Sequence, residues 1–487
     1  MEEVLLIIDQ GGQSSRLALY RQDGEQLAAW RYPVTTRQTR AADGNLYIEQ
    51  DPAEILAGIR EGLQAADQWL ASHPHLELKR AGYAGQGSSC LCWDALGGQP
   101  LSPVFSWQDL RASGFVDQLP LADSVISRKT GLRKSAHYGA SKFRWALDNL
   151  PEVSRAAAAG RLRMGPVVTY ILQQLTGSKE AFIDPGHAQR TLLWNMESGH
   201  WDADLLQLFG LEQAFLPRLL PHDGDFGRCR VAGREVVFRA VMRDQGASLF
   251  ARGAPDWQAA YINLGTGAFL QRLTPQPQFQ EGLLASPLWL PVKGQKLYAL
   301  EATVNGAAAA LSWLSGQCDL TVTPEAIAAA LSAAASDALL LNAEGGLSAP
   351  WWRSDLESQF IRAPAAGDKI QAWVESVLFQ LMVNLQRMND NKPLQRLYVS
   401  GGLSQSDPLC QRLANLAGLP VIRHENPDAT LQGVAFTLAG QPANWHFSGD
   451  SRHFQPQPDA ALEGRFQAWQ QAVALWLAGG INNGTQV

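Results

Sequence analysis

The segment Ile7–Tyr20, IIDQGGQSSRLALY, sets a pair of glycines between two stretches of strand. Val4–Ile8 is a continuous apolar run, and Arg16–Tyr20 alternates around Leu17 and Leu19. Asp23-Gly24 then marks a hairpin before a third strand, Gln26–Tyr32. The layout recurs far along the chain. Tyr261–Gly267, YINLGTG, is again an apolar run, a small polar residue and a glycine turn, with Ala268-Phe269-Leu270 returning as a strand. Two stretches that begin with the same antiparallel hairpin point to two related sheet units, as a duplication would leave. The length, 487 residues, accommodates two domains. The boundary is expected near residue 246, giving domains 1–246 and 247–487.

A strand on both sides of the glycines excludes the usual phosphate loops, which need strand, glycines and then helix. A hairpin can gather anions differently. Glycines let successive N–H groups turn toward one point, and Gly11, Gly12, Gln13, Ser14, Ser15 and Arg16 supply donors there. Asp9, at the strand end, is placed to hold Mg²⁺ through water. An ordinary Gly-Gly turn is the plainer reading. Gly265-Thr266-Gly267 offers N–H groups and one hydroxyl, or again a plain hairpin. The third element, Tyr398–Asp407, runs from strand to helix through Gly401-Gly402, with Ser406 or Asp407 as cap. A helix N-terminus there suits a nucleotide phosphate or ribose. Asp244 lies where strand Val236–Met242 gives way to a helix over Ala247–Ala251. It reads as an N-cap or as a base that takes the proton of an attacking hydroxyl.

Composition narrows the class. A net charge of −6 lacks the basic excess expected of a nucleic-acid protein. Five scattered cysteines suggest reduced thiols and a cytoplasmic setting. Cys90-x-Cys92 has no second pair and reads as alternate strand positions. No run of 18 apolar residues suggests a membrane span. Asp51-Pro52 caps a helix with Ile55, Ile59, Leu63, Ala66 and Leu70 on one face. The middle, about 135–220, reads as mostly helical. Further helices are expected over Val304–Leu314, Pro324–Ala335, Gln371–Met388 and Pro408–Ala417.

In order and spacing these motifs resemble the FGGY carbohydrate kinases, the group of glycerol kinase, xylulokinase and ribulokinase. The likeness extends over nearly the whole chain. It includes Asp9-Gln10-Gly11, Gly82–Gln86, Trp107-Gln108-Asp109-Leu110-Arg111, Lys142–Trp145, Asp184, Asp244-Gln245, Gly265-Thr266-Gly267, Glu301–Trp313, Ser400–Ser404, and Glu425 with Gly433. The resemblance implies an α/β, two-domain, actin-like ATPase (ribonuclease H-like) fold with an interdomain cleft. It implies ATP and Mg²⁺ as cofactors and a small sugar or polyol as substrate, and it leaves a homodimer open. By the same resemblance Asp244 is the general base. Gln86, Trp107, His137, Asp244 and Gln245 are substrate contacts. Gly11, Gly12, Gln13, Ser14, Arg16, Gly265, Thr266, Gly401, Gly402 and Ser406 are nucleotide contacts, and Asp9 is the metal residue. Trp107 and His137 are open to plain packing roles. The chain departs from the family in three places. Gly12-Gln13 replaces two hydroxyl residues, Arg243 replaces a small residue before the base, and Gly87-Ser88-Ser89 follows Gln86 where glycerol kinases carry Arg-Glu-Thr. Two other readings stand beside the kinase: a catalytically weak sugar sensor, suggested by Gly12-Gln13, and an actin- or chaperone-type ATPase.

Overall fold

The computed structural model describes residues 1–41, 44–231, 233–333, 336–363, 365–388, 393–424, 428–447 and 449–479. The first sheet holds β1 (Glu2–Gln10), β2 (Ser14–Arg21), β3 (Gln26–Pro33), β4 (Leu76–Gly85), β5 (Arg228–Val231) and β6 (Arg234–Arg243), in the order β5-β6-β4-β1-β2-β3. The second holds β7 (Ala259–Leu264), β8 (Ala268–Thr274), β9 (Leu284–Trp289), β10 (Leu297–Val304), β11 (Arg396–Ser400), β12 (Val421–His424) and β13 (Ser451–Phe454). Its order is β9-β10-β8-β7-β11-β12-β13.

The run β6-β4-β1-β2-β3 matches β12-β11-β7-β8-β10 strand for strand. In both, an antiparallel meander is extended by two parallel strands. The short echo in the sequence is therefore the start of a repeated five-strand unit. Val4–Ile8 is apolar throughout because β1 is buried on both faces. Helix Pro52–Ala71 covers one face, with Asp51 accepting from the Ala53 N–H at 2.8 Å and Pro52 in the first turn. It packs so close to β2 that a methyl group added at Gly62 would lie 2.4 Å from Leu17 Cδ1. On the other face lies helix Ala429–Leu438, contributed by the second half of the chain. A methyl at Gly82 would meet Val434 Cγ1 at 2.5 Å, and one at Gly433 would meet the Ala247 carbonyl at 1.8 Å. At Gly82 the helix meets the sheet of the first half, and at Gly433 it meets the short helix Asp244–Ser248. One apolar cluster, including Ile7, Met242, Leu273, Ala299 and Val434, accordingly draws on both halves.

A smaller sheet joins Thr36–Arg40, Leu46–Gln50, Val104–Phe105, Cys90–Asp94 and Leu162–Pro166 beside the first. Cys90 and Cys92 are free and buried in one of its strands. Several expectations change. Val304 ends β10 instead of opening a helix: its stretch pairs with Ala268 of β8, and helix begins only after a 3₁₀ turn at Ala308–Ala310. The next helix stops at Ser332, and Ala335 and Glu425 lie outside the described residues. The helix at Asp244 starts on that residue and ends at Ser248. Within 135–220, helices alternate with short strands.

Candidate active site

Parallel strands end on the same side, and α/β sheets bind ligands at those ends. In the first sheet, Gln10 of β1 and Arg243 of β6 both pair with Gly85 of β4. This register brings Asp9, Gln86 and Asp244 to one edge. In the second sheet, Asn263 of β7 pairs with Ser400 of β11, which sets the second and third loops side by side. Gly401 has φ +91°, and a methyl there would lie 2.6 Å from the Leu264 carbonyl oxygen. Only glycine permits that approach.

The first hairpin closes with Gly11 N–H donating to the Ser14 carbonyl at 3.0 Å. The Gly12 carbonyl accepts from Gln50 Nε2 at 2.7 Å and Thr36 Oγ1 at 3.1 Å. Gln13 is exposed. The Ser14 hydroxyl accepts from Arg31 Nε at 3.1 Å. Arg16 is engaged elsewhere: Nε donates to Asp9 Oδ2 at 3.0 Å, and Nη1 pairs with Asp428 Oδ1 at 3.0 Å. Asp428 begins the cross-packing helix, so the second half of the chain reaches the first hairpin through this pair. The sequence signal was an Asp before a helix, a pattern too common to single out. Asp9 is buried, which pushes its pKa up to about 6. Arg16 opposes the rise, and the carboxylates of Asp244 and Asp428 add to it.

Both ends of the Gln86 amide are engaged. Its Nε2 lies 3.2 Å from each of Gln10 Oε1, the Gly11 carbonyl and Gln50 Oε1, and its Oε1 accepts from Ser89 Oγ at 2.9 Å. Ser89 Oγ in turn accepts from the Trp107 N–H at 3.0 Å. Gln86 thus ties the first hairpin to the Trp107 segment. Trp107 is 37% exposed, and its ring meets His137 edge-on with centroids 5.7 Å apart. Lys142, fully buried, donates to the Ser106 carbonyl at 2.7 Å and the His137 carbonyl at 2.9 Å, bracing both segments from behind. Burial, then Lys142 and Arg190, hold His137 well below the usual histidine range, so it is neutral. Asp109 and Arg111 of the Trp-x-Asp-x-Arg segment pair with each other in the interior, where Arg111 lies over Tyr47.

Asp244 opens its short helix and accepts from the Gln245 N–H at 2.7 Å. Burial raises its pKa; that N–H, Arg243, His187 and Arg190 lower it. Gln245 is exposed. Arg243 Nη2 reaches Glu301 Oε1 at 3.1 Å, and Arg190 Nη2 reaches Glu301 Oε2 at 2.7 Å. Glu301 is on β10, so this buried ion cluster also joins the halves. Those two guanidiniums hold the Glu301 pKa down to about 2 against burial, the largest influence.

In the second hairpin, Gly265 N–H donates to the Gly267 carbonyl at 3.0 Å. The Gly265 and Thr266 carbonyls accept from Ala308 and Ala309 N–H, which leaves Thr266 exposed at the tip. Gly402 opens a 3₁₀ turn with open space at its Cα. Ser406 sits at the N-cap of helix Asp407–Ala417 with its Oγ buried and unpartnered. Asp407 is held by Arg423 and Arg452.

Among the described residues no cluster of three or more His, Cys, Asp or Glu forms a metal cage. The donor set fits a different mode of binding. Asp9, Asp244 and Asp428 lie close enough for the latter two to raise the first, with Arg16 as the cation that opposes them. Arg16 pairs with both Asp9 and Asp428, and carboxylates so grouped suit Mg²⁺, which keeps its waters and takes one or two carboxylates plus phosphate oxygens.

Residues 4–238 match the N-terminal domain of the FGGY family of carbohydrate kinases, and residues 260–440 match its C-terminal domain. The glycerol kinase of Alkalilimnicola ehrlichii is 31% identical, over 97% of this chain and 98% of the relative. The structure of Plasmodium falciparum glycerol kinase with ADP superposes with a TM-score of 0.87 at 21% identity, covering 97% of this chain and 98% of that one. A xylulose kinase from Rhodospirillum rubrum gives a TM-score of 0.85 at 19% identity, covering 98% and 99%. With both domains matched, in order and on the actin-like ATPase fold, the chain belongs to the FGGY family of carbohydrate kinases.

Proposed function

We propose that Asp244 is the general base of an ATP-dependent transfer to a hydroxyl of a small polyol-type acceptor. As a member of its family the chain is a carbohydrate kinase that works with ATP and Mg²⁺. The carrying observation is the shared strand-end register that groups Asp9, Gln86 and Asp244. The acceptor oxygen forms the new bond to the γ-phosphorus, the bond to the β,γ-bridging oxygen breaks with its electron pair leaving on ADP, and the hydroxyl proton passes to Asp244. The Gly11 and Gly265 N–H groups close the two turns, and N–H groups at the tips, around Gly12 and Thr266, with the Thr266 hydroxyl, bind the β- and γ-phosphates. Gly401, Gly402 and Ser406 face the α-phosphate and ribose. Asp9 holds Mg²⁺, which when bound neutralises charge on the transferring phosphoryl group.

On the acceptor side Trp107 and His137 form a wall, Gln245 offers an exposed amide, and Gln86 acts by holding that wall to the first hairpin. Glycerol, the substrate named for the A. ehrlichii relative, is the first acceptor to assay. Asp244→Asn should bind ATP as the parent does and transfer at least about 100-fold more slowly. Turnover within threefold of the parent removes the assignment.

A further inference from the structure

The side chain of Arg243 runs through a channel made by two glycines. A methyl at Gly87 would lie 3.1 Å from Arg243 Cδ and 3.2 Å from Arg190 Cγ; one at Gly186 would lie 3.4 Å from Arg243 Cγ. Gly87 thus leaves the space that the Arg243 side chain occupies, and a buried serine stands beside it at 88.

Arg190 and Arg243, with side chains 10% and 4% exposed, share the single carboxylate of Glu301. Gln271 Nε2 also donates to it, at 2.7 Å. The Nε atoms of both arginines are buried and unpartnered. Of the other carboxylates nearby, Asp184, whose Oδ2 lies beside Gly186 with Arg243 Cγ, is held by His187, and Asp244 must take up a proton during transfer. Gln245 adds a further donor. A neutral polyol brings donors as well as acceptors, whereas a carboxylate only accepts and matches a guanidinium fork.

We propose that the acceptor is a small sugar acid or hydroxy acid, its carboxylate held by Arg243 and Arg190 while one of its hydroxyls faces Asp244. This rests on the kinase reading, and the transfer step is unchanged. The test pairs each acid with its neutral alcohol: D-glycerate with glycerol, and D-gluconate with D-glucitol. ADP release with Mg-ATP reads turnover, and calorimetry reads binding. In at least one pair kcat/KM for the acid should exceed that for the alcohol at least tenfold. Arg243→Gln should reduce this ratio at least tenfold. Gly87→Ala, which keeps every charge but crowds the same guanidinium, should move it in the same direction. Preference for the alcohol in both pairs overturns the proposal and leaves the kinase intact. Acid binding without ADP release upholds the pocket and removes the kinase reading. Equal losses for acid and alcohol in Arg243→Gln overturn the role of Arg243.

Discussion

Lys142 sits inside the protein with its ammonium on two backbone carbonyls, and its chemistry makes the acceptor wall testable. Burial brings its pKa down to about 8, with Cys90 and Asp109 opposing and Arg111 adding to the fall. A lysine whose folded pKa lies below its unfolded value of 10.5 destabilises the fold while charged. Stability therefore rises as pH climbs from about 8 to 10.5 and is lost as pH falls back through that window. At about 1.4 kcal/mol per tenfold change the full swing is about 3 kcal/mol. The stability difference between the parent and Lys142→Met, from urea unfolding at about pH 7.5 and about pH 10.5, should widen in the parent's favour by that order. A flat difference would mean that Lys142 does not carry a buried charge. Gly12 poses the opposite case. The nearest atom to a methyl there is Gln86 Oε1 at 3.6 Å, an ordinary contact. Gly12→Ser should change stability by less than about 0.5 kcal/mol. A hydroxyl restored to the phosphate hairpin should lower KM for ATP by roughly two- to tenfold, the worth of one hydrogen bond. An unchanged KM would place the hairpin tip away from the phosphates.

Among elements, helix Ala429–Leu438 has the least room. Its Gly433 lies against the Ala247 carbonyl, so Gly433→Ala must push the neighbouring helices apart or fail to fold. Overpacking of this kind costs about 1–3 kcal/mol or more, and thermal unfolding of Gly433→Ala should show it; an unchanged melting temperature would contradict the packing. The sequence announced this glycine only as a piece of a family pattern, because its contact is a backbone atom nearly two hundred positions away. What could be read directly was local. The hairpins at Gly11 and Gly265 follow from apolar runs around glycine, and helix Pro52–Ala71 follows from its cap and its face. The alanine run after Val304 misled for a physical reason. Alanine favours helix, but β10 is fixed by pairing with β8, and tertiary pairing overrides propensity. Asp428 and the Arg190–Glu301–Arg243 cluster were equally hidden. Each joins residues from opposite halves, and the sequence pattern placed Arg243 beside the base without indicating where its side chain goes.

The two halves are joined in different ways, and the difference decides how the whole molecule should respond. Arg16–Asp428 is partly exposed, at 26% and 33%, so its loss should cost about 1 kcal/mol or less. Glu301 is buried between two guanidiniums, and β9 beside it docks on the first half, with Gln189 Nε2 donating to the Ala285 carbonyl at 2.5 Å and Leu290 N–H to His222 Nδ1 at 2.9 Å. Glu301→Gln leaves two buried cations sharing a neutral amide, and breaking a buried pair in this way costs about 3–5 kcal/mol. Because the apolar cluster around Ile7, Met242 and Val434 also spans the halves, they should melt together in the parent. Calorimetry should show one transition for the parent and for Asp428→Asn at nearly the same temperature. Glu301→Gln should melt several degrees lower, with its transition broadened or split as the halves uncouple. Mg-ADP, which binds only the folded cleft, should raise all three by mass action. A Glu301→Gln protein that melts with the parent would show that the ion cluster does not hold the halves together, and would leave that role to the shared apolar cluster and the remaining contacts between them.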